Sequence, residues 1–149
     1  MKTIKQIDLK VKRVVVAAEY RELYNTRITD VKRAVLAIRT IIGETDEERF
    51  VAIPLDVKNK PIGYQVVALG GPDCCHVDPR NVFRSAILVG ASAIIVAHNH
   101  PSGEVDVSPE DFEITGRLME CGKMLGIPVF DHLIVGHNQY LSMKENGLI

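Results

Sequence analysis

Residues 93–126 read AIIVAHNHPSGEVDVSPEDFEITGRLMECGKMLG, and the reading of this stretch decides the fold. Ala93 to Ala97 is short and wholly apolar, the pattern of a strand buried on both faces of a sheet. A polar loop, HNHPSGEVDV, follows it. Ser108-Pro109 then opens a helix, with serine at the N-cap and proline at the first helical position. That helix runs through Leu125 and stops at Gly126. A buried strand, a polar loop and a helix in succession form one unit of a layered domain with helices packed on a sheet.

The flanks supply the remaining layers. Downstream, Val129 to Val135 reads as a strand and Tyr140 to Met143 as a shorter one. Upstream, Asp78-Pro79 opens a helix carrying Val82, Phe83, Ala86, Ile87 and Val89, which stops at Gly90. Asp30 caps another, with Val31, Ala34, Val35, Ile38, Ile41 and Ile42 at helical spacing and Gly43 at its end. Phe50 to Leu55 is a buried strand in which Pro54 points to an edge or a bulge. The turn VKNKP joins it to Ile62 to Leu69, making a hairpin. Ile4, Ile7, Leu9 and Val11 alternate with polar residues as in a strand, and residues 18–29 form a polar connection. The expected fold is a single α/β (α+β) domain over 1–149, with a mixed sheet flanked by helices 30–42, 79–89 and 109–125. Residues 1–29 supply the N-terminal strand and connection, and 30–149 the body.

Composition narrows the class. A chain of 149 residues buries roughly 70% of the surface its unfolded form exposes, enough for a core without staples. Apolar residues at 46% and charged residues at 25% exclude disordered, collagenous and low-complexity chains. The apolar run from Ala86 to Ala97, broken by Gly90 and Ser92, is too short to span a bilayer, and MKTIKQIDLK carries no apolar signal region. Three cysteines, with Cys74 and Cys75 adjacent, do not make a disulfide framework, so a cytoplasmic, membrane-free protein is expected. Net charge is −1, which demands no nucleic acid. Residues 1–60 carry 13 basic and 9 acidic groups, +4, against 5 and 10, −5, in residues 61–149. The basic excess reads as a solvated face.

The chemistry lies at the end of the apolar strand. Side chains two apart in an extended chain share a face, so His98 and His100 can grip one metal ion together. Asp111 stands in the first turn of the next helix, and the loop can bring that turn back over the strand end. Two imidazoles and one carboxylate leave the fourth position of a zinc ion open, the catalytic rather than the structural pattern. A His-x-His pair alone arises by chance in roughly one chain in seven of this composition. The full pattern, His98-x-His100-Pro101 followed by Ser108-x-x-Asp111, drops that to about one in 10⁵. Ser108-Pro109-Glu110-Asp111 is also a good helix start, in which Asp111 would merely complete the cap.

His98-Asn99-His100-Pro101…Ser108-x-x-Asp111 resembles the JAMM motif of the MPN metalloprotease superfamily. The longer run HNHPSG, preceded by VDPRNVFRSAILVGASAIIVA, resembles the RadC family. So do Glu48-x-Phe50 before Pro54-Leu55-Asp56, Asp131-His132-Leu133-Ile134-Val135-Gly136, and Tyr140-Leu141-Ser142. The resemblance covers residues 45–149. It implies an MPN/JAMM-like fold with cytidine-deaminase-like layering, one Zn²⁺ per chain on His98, His100 and Asp111, and a protein or peptide substrate. It implies a proton-shuttling glutamate at Glu48, with Glu47 as the neighbouring alternative. It implies that Ser108 steadies the oxyanion. Two departures stand out: Gly70-Gly71 replaces the usual Gly-Thr, and Asp73-Cys74-Cys75-His76 is unusual. Full-length RadC proteins also begin with a helix-hairpin-helix region that suggests DNA contact, and residues 1–29 do not resemble it.

Other residues have plainer readings. By its surroundings alone Glu48 belongs to a solvated acidic cluster with Glu44, Asp46 and Glu47. Cys74, Cys75 and His76 are soft ligand types, but three neighbours seldom reach one ion, so buried small side chains are expected there. His132 is either a supporting residue of the site or a satisfied core histidine. His137 reads as a turn residue, Asn99 as a brace for the loop on the face opposite the two histidines, and Ser102-Gly103 as a tight turn. The function expected is zinc-dependent hydrolysis of peptide or isopeptide bonds. The alternatives are a DNA-associated protein or metal-dependent nuclease, and a non-catalytic binding module that keeps a metal for stability. A nuclease more often uses two metals held by several carboxylates. A structural zinc would be expected to have four protein ligands.

Overall fold

The computed structural model describes residues 27–70 and 76–149, together with Arg21 and Asn25. The expected N-terminal strand and the Cys74-Cys75 pair lie outside the described residues. Among the described residues, three helices and five strands follow one another: α1 (Val31–Ile42), β1 (Glu48–Leu55), β2 (Gln65–Gly70), α2 (Pro79–Leu88), β3 (Ala93–Asn99), α3 (Pro109–Leu125), β4 (Val129–Val135) and β5 (Tyr140–Ser142).

Each helix starts where a short polar side chain satisfies orphan backbone donors. Asp30 accepts from the Arg33 N–H at 3.0 Å and Asp78 from the Arg80 N–H at 2.9 Å, with Pro79 in the first turn of α2. Gly43 ends α1 at φ 68°, a conformation that costs glycine little. The helices fall within a residue of their expected limits.

The strands are ordered β2-β1-β3-β4-β5. β1 runs antiparallel to β2 and β3, β3 parallel to β4, and β4 antiparallel to β5, so the sheet is mixed. α2 and α3 cover one face, where Phe50, Ala52, Val82, Phe83, Ile94, Val96 and Leu118 form a core. α1 covers the other over Val51, Ile53, Leu55, Ile95, Ala97 and Leu133. Fully burying a leucine, isoleucine or phenylalanine contributes roughly 1.5–3 kcal/mol, so these two layers hold the sheet between the helices.

Three strands differ from their sequence limits by two residues or more. β1 begins at Glu48 rather than Phe50, because its ladder with β2 runs on to the pair Glu48 and Gly70. β2 begins at Gln65 rather than Ile62, because its ladder with β1 ends at the pair Ala52 and Gln65. Pro54 lies beyond that point, where its missing N–H costs no ladder bond and its carbonyl accepts from the Ile62 N–H at 2.9 Å. The ladder's irregularity falls instead between Phe50 and Val51. β3 continues two residues past Ala97, because His98 pairs with Phe50 on one side and with Ile134 on the other. The next residue is held too: the His100 N–H donates to the Val135 carbonyl at 3.1 Å.

Candidate metal centre

The first ligand candidate stands on the sheet and the second just past it. His98 points to the α2–α3 face with Ile94 and Val96, and it is almost wholly buried. The Phe50 ring lies parallel to the His98 imidazole, 5.9 Å between centroids and 9° between planes. The His98 and His100 rings converge, with their Nε2 atoms 2.9 Å apart. The chain then turns sharply. The Gly103 N–H donates to the His100 carbonyl at 2.9 Å, and Gly103 sits at φ 86°. Gly136 packs so closely on this turn that a Cβ there would lie 2.1 Å from the Gly103 carbonyl oxygen. Backbone against backbone thus pins the His100 loop to the end of β4. His100 Nδ1 lies 3.0 Å from the Glu104 carbonyl oxygen. A carbonyl can only accept, so Nδ1 carries the hydrogen and Nε2 presents a lone pair to the site.

Asp111 divides its carboxylate between two tasks. One oxygen, Oδ2, accepts from the Ser108 N–H at 2.9 Å and completes a capping box, in which Ser108 Oγ accepts from the Asp111 N–H at 3.1 Å. The other, Oδ1, lies 3.2 Å from His98 Nε2, and Oδ2 is also 3.8 Å from His100 Nε2. The cap and the ligand readings of Asp111 are therefore compatible. Burial raises the carboxyl's pKa. The hydrogen bond and charge of His98, with the bonds to Ser108, outweigh that effect and hold Asp111 well below the usual carboxylate range.

Glu48 reaches the site through strand register. The antiparallel pairing sets Phe50 opposite His98, so the same register carried two residues further sets Glu48 opposite His100, on the same face. One ligand atom each from Glu48, His98 and His100 lie within 4.8 Å of one another, a grouping that can hold a metal ion. Electron-pair donors this close need a positive charge among them, a metal ion or a proton. Two imidazole nitrogens with flanking carboxylates make a donor set that suits zinc. Of the five residues singled out in the sequence, His98, His100, Asp111, Glu48 and Ser108, all stand at this one strand end. Glu47 is exposed, and its carbonyl is bound to Asn99.

The supporting residues sort themselves. Asn99 is buried on the opposite face, where it braces the start of β1: Oδ1 accepts from the Arg49 N–H at 2.7 Å and Nδ2 donates to the Glu47 carbonyl at 3.0 Å. His132 is fully buried on β4, with Nε2 2.8 Å from His98 Nδ1. Burial there pushes its pKa well below the ordinary histidine value, so it is neutral. It is a core histidine and a partner of the site at once. Thr115 carries no motif in the sequence, although its place four residues after Asp111 sets it on the same helical face. Its Oγ1 lies 2.6 Å from His132 Nδ1. His137 is an exposed turn residue, and His76 is exposed rather than buried. Beside His100 opens a cleft of about 630 Å³ between the end of α1 and the ends of β3 and β4, with Arg39, Asp46 and His137 in its lining.

The family of RadC-like JAB domains matches residues 28–148. The chain belongs to it. Among similar proteins, a "UPF0758 protein" of Trichormus variabilis is 42% identical over 127 residues, 85% of this chain and 52% of the relative. Another, from Carboxydothermus hydrogenoformans, is 43% identical over 111 residues, 74% of this chain and 49% of its own length. A third, from Clostridium perfringens, is 46% identical over 103 residues, 69% and 45%. This RadC-like domain thus spans about half the length of the curated relatives it matches. Among its described residues, no helix is long and apolar enough to cross a membrane.

Proposed function

We propose that this RadC-like domain is a single-zinc hydrolase of peptide or isopeptide bonds. The observation that carries the reading is the convergence of His98 Nε2, His100 Nε2 and an Asp111 oxygen beside the half-buried Glu48. His98, His100 and Asp111 would hold the ion, leaving one position open. When bound, zinc supplies Lewis-acid polarisation of a carbonyl and brings the pKa of a water down to about 7.

The remaining steps belong to the chain. The Glu48 carboxylate, across from His100 and partly open to solvent, takes the proton of the attacking water and returns it to the leaving amine. Ser108 Oγ uses a lone pair in the cap, which leaves its hydroxyl proton free to donate to the developing oxyanion. The burial of His98 and Asp111 keeps water from the back of the site, where charge interactions gain strength. A cytoplasmic setting and a protein or peptide partner accompany this reading.

The test is the full chain purified with zinc, analysed for about one zinc per chain and set against folded proteins, peptides and isopeptide-linked conjugates. Cleavage that is lost in Glu48→Gln while zinc stays bound is the expected result. Cleavage of DNA alone, with the same dependence on Glu48, would replace the peptidase by a nuclease.

A further inference from the structure

Behind His98 lies a buried chain of hydrogen bonds that the proposed reaction does not use. It runs from His98 Nδ1 to His132 Nε2 at 2.8 Å, from His132 Nδ1 to Thr115 Oγ1 at 2.6 Å, and from Thr115 Oγ1 to the Asp111 carbonyl oxygen at 2.5 Å. His98 and His132 come from neighbouring parallel strands, and Thr115 and Asp111 from one turn of α3. The chain therefore begins at one ligand candidate and ends on the backbone of another.

The last contact fixes the direction of every bond before it. A carbonyl oxygen only accepts, so the single Thr115 proton is committed to Asp111. Met143 Sδ, at 3.5 Å from the same hydroxyl, is a weak acceptor and does not compete. Thr115 Oγ1 must then accept from His132, which places hydrogen on His132 Nδ1. No carboxylate oxygen bonds to the His132 ring among the described residues, and a charged ring at full burial would be costly, so this ring carries only that one hydrogen. Its Nε2 is bare and must accept from His98 Nδ1–H. His98 is left with Nε2 as the atom that offers a lone pair to the site. The ring planes reinforce the arrangement: Phe50 lies parallel to His98 and presents a T-shaped contact to His132, 5.4 Å between centroids.

We infer that His132 and Thr115 are positioning residues that hold the hydrogen of His98 on Nδ1, so that Nε2 is the atom left to a metal ion, which displaces only the proton that Nε2 shares with Asp111 in the metal-free protein. This rests on the reading of the strand end as a metal centre. The reverse order, with Thr115 donating to His132 Nδ1 and His98 holding hydrogen on Nε2, would leave the Thr115 and Asp111 oxygens 2.5 Å apart with no hydrogen between them. It would also turn a hydrogen toward the ion. Partners of this kind orient ligand imidazoles and are worth 10- to 100-fold in metal affinity.

Nitrogen-15 NMR of the full chain, labelled at the histidine ring nitrogens and stripped of metal, reads the tautomer of His132. Hydrogen on Nδ1 and a bare Nε2, unchanged when Zn²⁺ is added, is expected. Hydrogen on Nε2 in the metal-free protein overturns the inference, and this measurement needs no variant to fold. Zn²⁺ titration against a competing chelator gives the second readout. His132→Leu should weaken zinc binding about 10- to 100-fold. His132→Gln, whose side-chain oxygen can stand in for Nε2 as acceptor, should recover most of that loss. A folded His132→Leu with wild-type zinc affinity overturns the relay and leaves the metal centre standing. A wild-type chain that takes up no zinc, yet shows the expected His132 tautomer, overturns the metal centre instead.

Discussion

Asn99 holds Glu48 by its two neighbours. Its side-chain amide accepts from the Arg49 N–H at 2.7 Å and donates to the Glu47 carbonyl at 3.0 Å, so the backbone on both sides of Glu48 is tied to the end of β3. The bracing fixes the carboxylate's origin without touching it. Asn99→Leu removes both bonds at a buried position and should cost about 1–3 kcal/mol. Zinc content should stay near that of the wild type while kcat falls, because the proton acceptor is displaced and the ligands are not. Elemental analysis beside a melting curve and steady-state kinetics checks this. Unchanged turnover would show that Glu48 does not depend on the brace.

The two tasks of Asp111 can be separated. Asp111→Asn keeps an oxygen for the Ser108 N–H but loses the negative charge, so the melting temperature should hold while zinc affinity drops. Asp111→Ala should lose both, with about 1 kcal/mol of helix-start stability going with the cap. His98→Ala and His100→Ala should abolish stoichiometric zinc. Chelator titration and thermal melts on the four variants read the two effects independently.

Glu48→Gln probes use of the metal as distinct from its retention. The amide is near-isosteric but cannot take a proton, so hydrolysis should fall by roughly 10²–10⁴ with zinc retained. Loss of zinc in this variant would make Glu48 a ligand and close the open position that the mechanism needs.

Ser108→Ala removes a cap and an oxyanion donor together. Stability should fall by about 1 kcal/mol and turnover by roughly 10²–10³. Ser108→Thr keeps the hydroxyl and should recover most of both. A Ser108→Ala variant with full activity and reduced stability would confine the serine to its cap.

Two buried groups contribute to the acid behaviour of the metal-free protein. His132 has a depressed pKa because burial disfavours its charge. The unfolded chain therefore binds a proton that the folded chain refuses, and stability declines as pH falls below about 6.5. One proton difference is worth about 1.4 kcal/mol per pH unit. Asp111 acts in a lower window. Its folded pKa is depressed, so its contribution is present above the unfolded value of about 3.9 and is lost as pH falls below it. His132→Gln should flatten the decline between pH 6.5 and 5 and leave the steeper fall below pH 4. Urea midpoints measured from pH 7.5 to 3.5 would show both limbs. Metal binding should weaken in acid as well, since both imidazoles must be neutral to coordinate.

The three described helices and the three ligand candidates are legible in the sequence. Caps at Asp30, Asp78 and Ser108 and stops at Gly43 and Gly126 are local signals, carried within a few residues, and the helices follow them closely. His98, His100 and Asp111 were legible for the same reason: a strand end, one loop and one helix start hold them, and spacing is enough. The strand limits were not, because a strand ends where its partner's hydrogen bonds end. β3 runs on to Asn99 through its pairing with β1 and β4, and β2 begins late because its own ladder is short. Only tertiary structure put Glu48 within reach of His98 and His100, through the antiparallel pairing of β1 with β3, segments far apart in the chain. Only the parallel placement of β4 beside β3 set His132 behind His98. Register and strand order are fixed by cooperative pairing over the whole sheet, and no local stretch of residues encodes them.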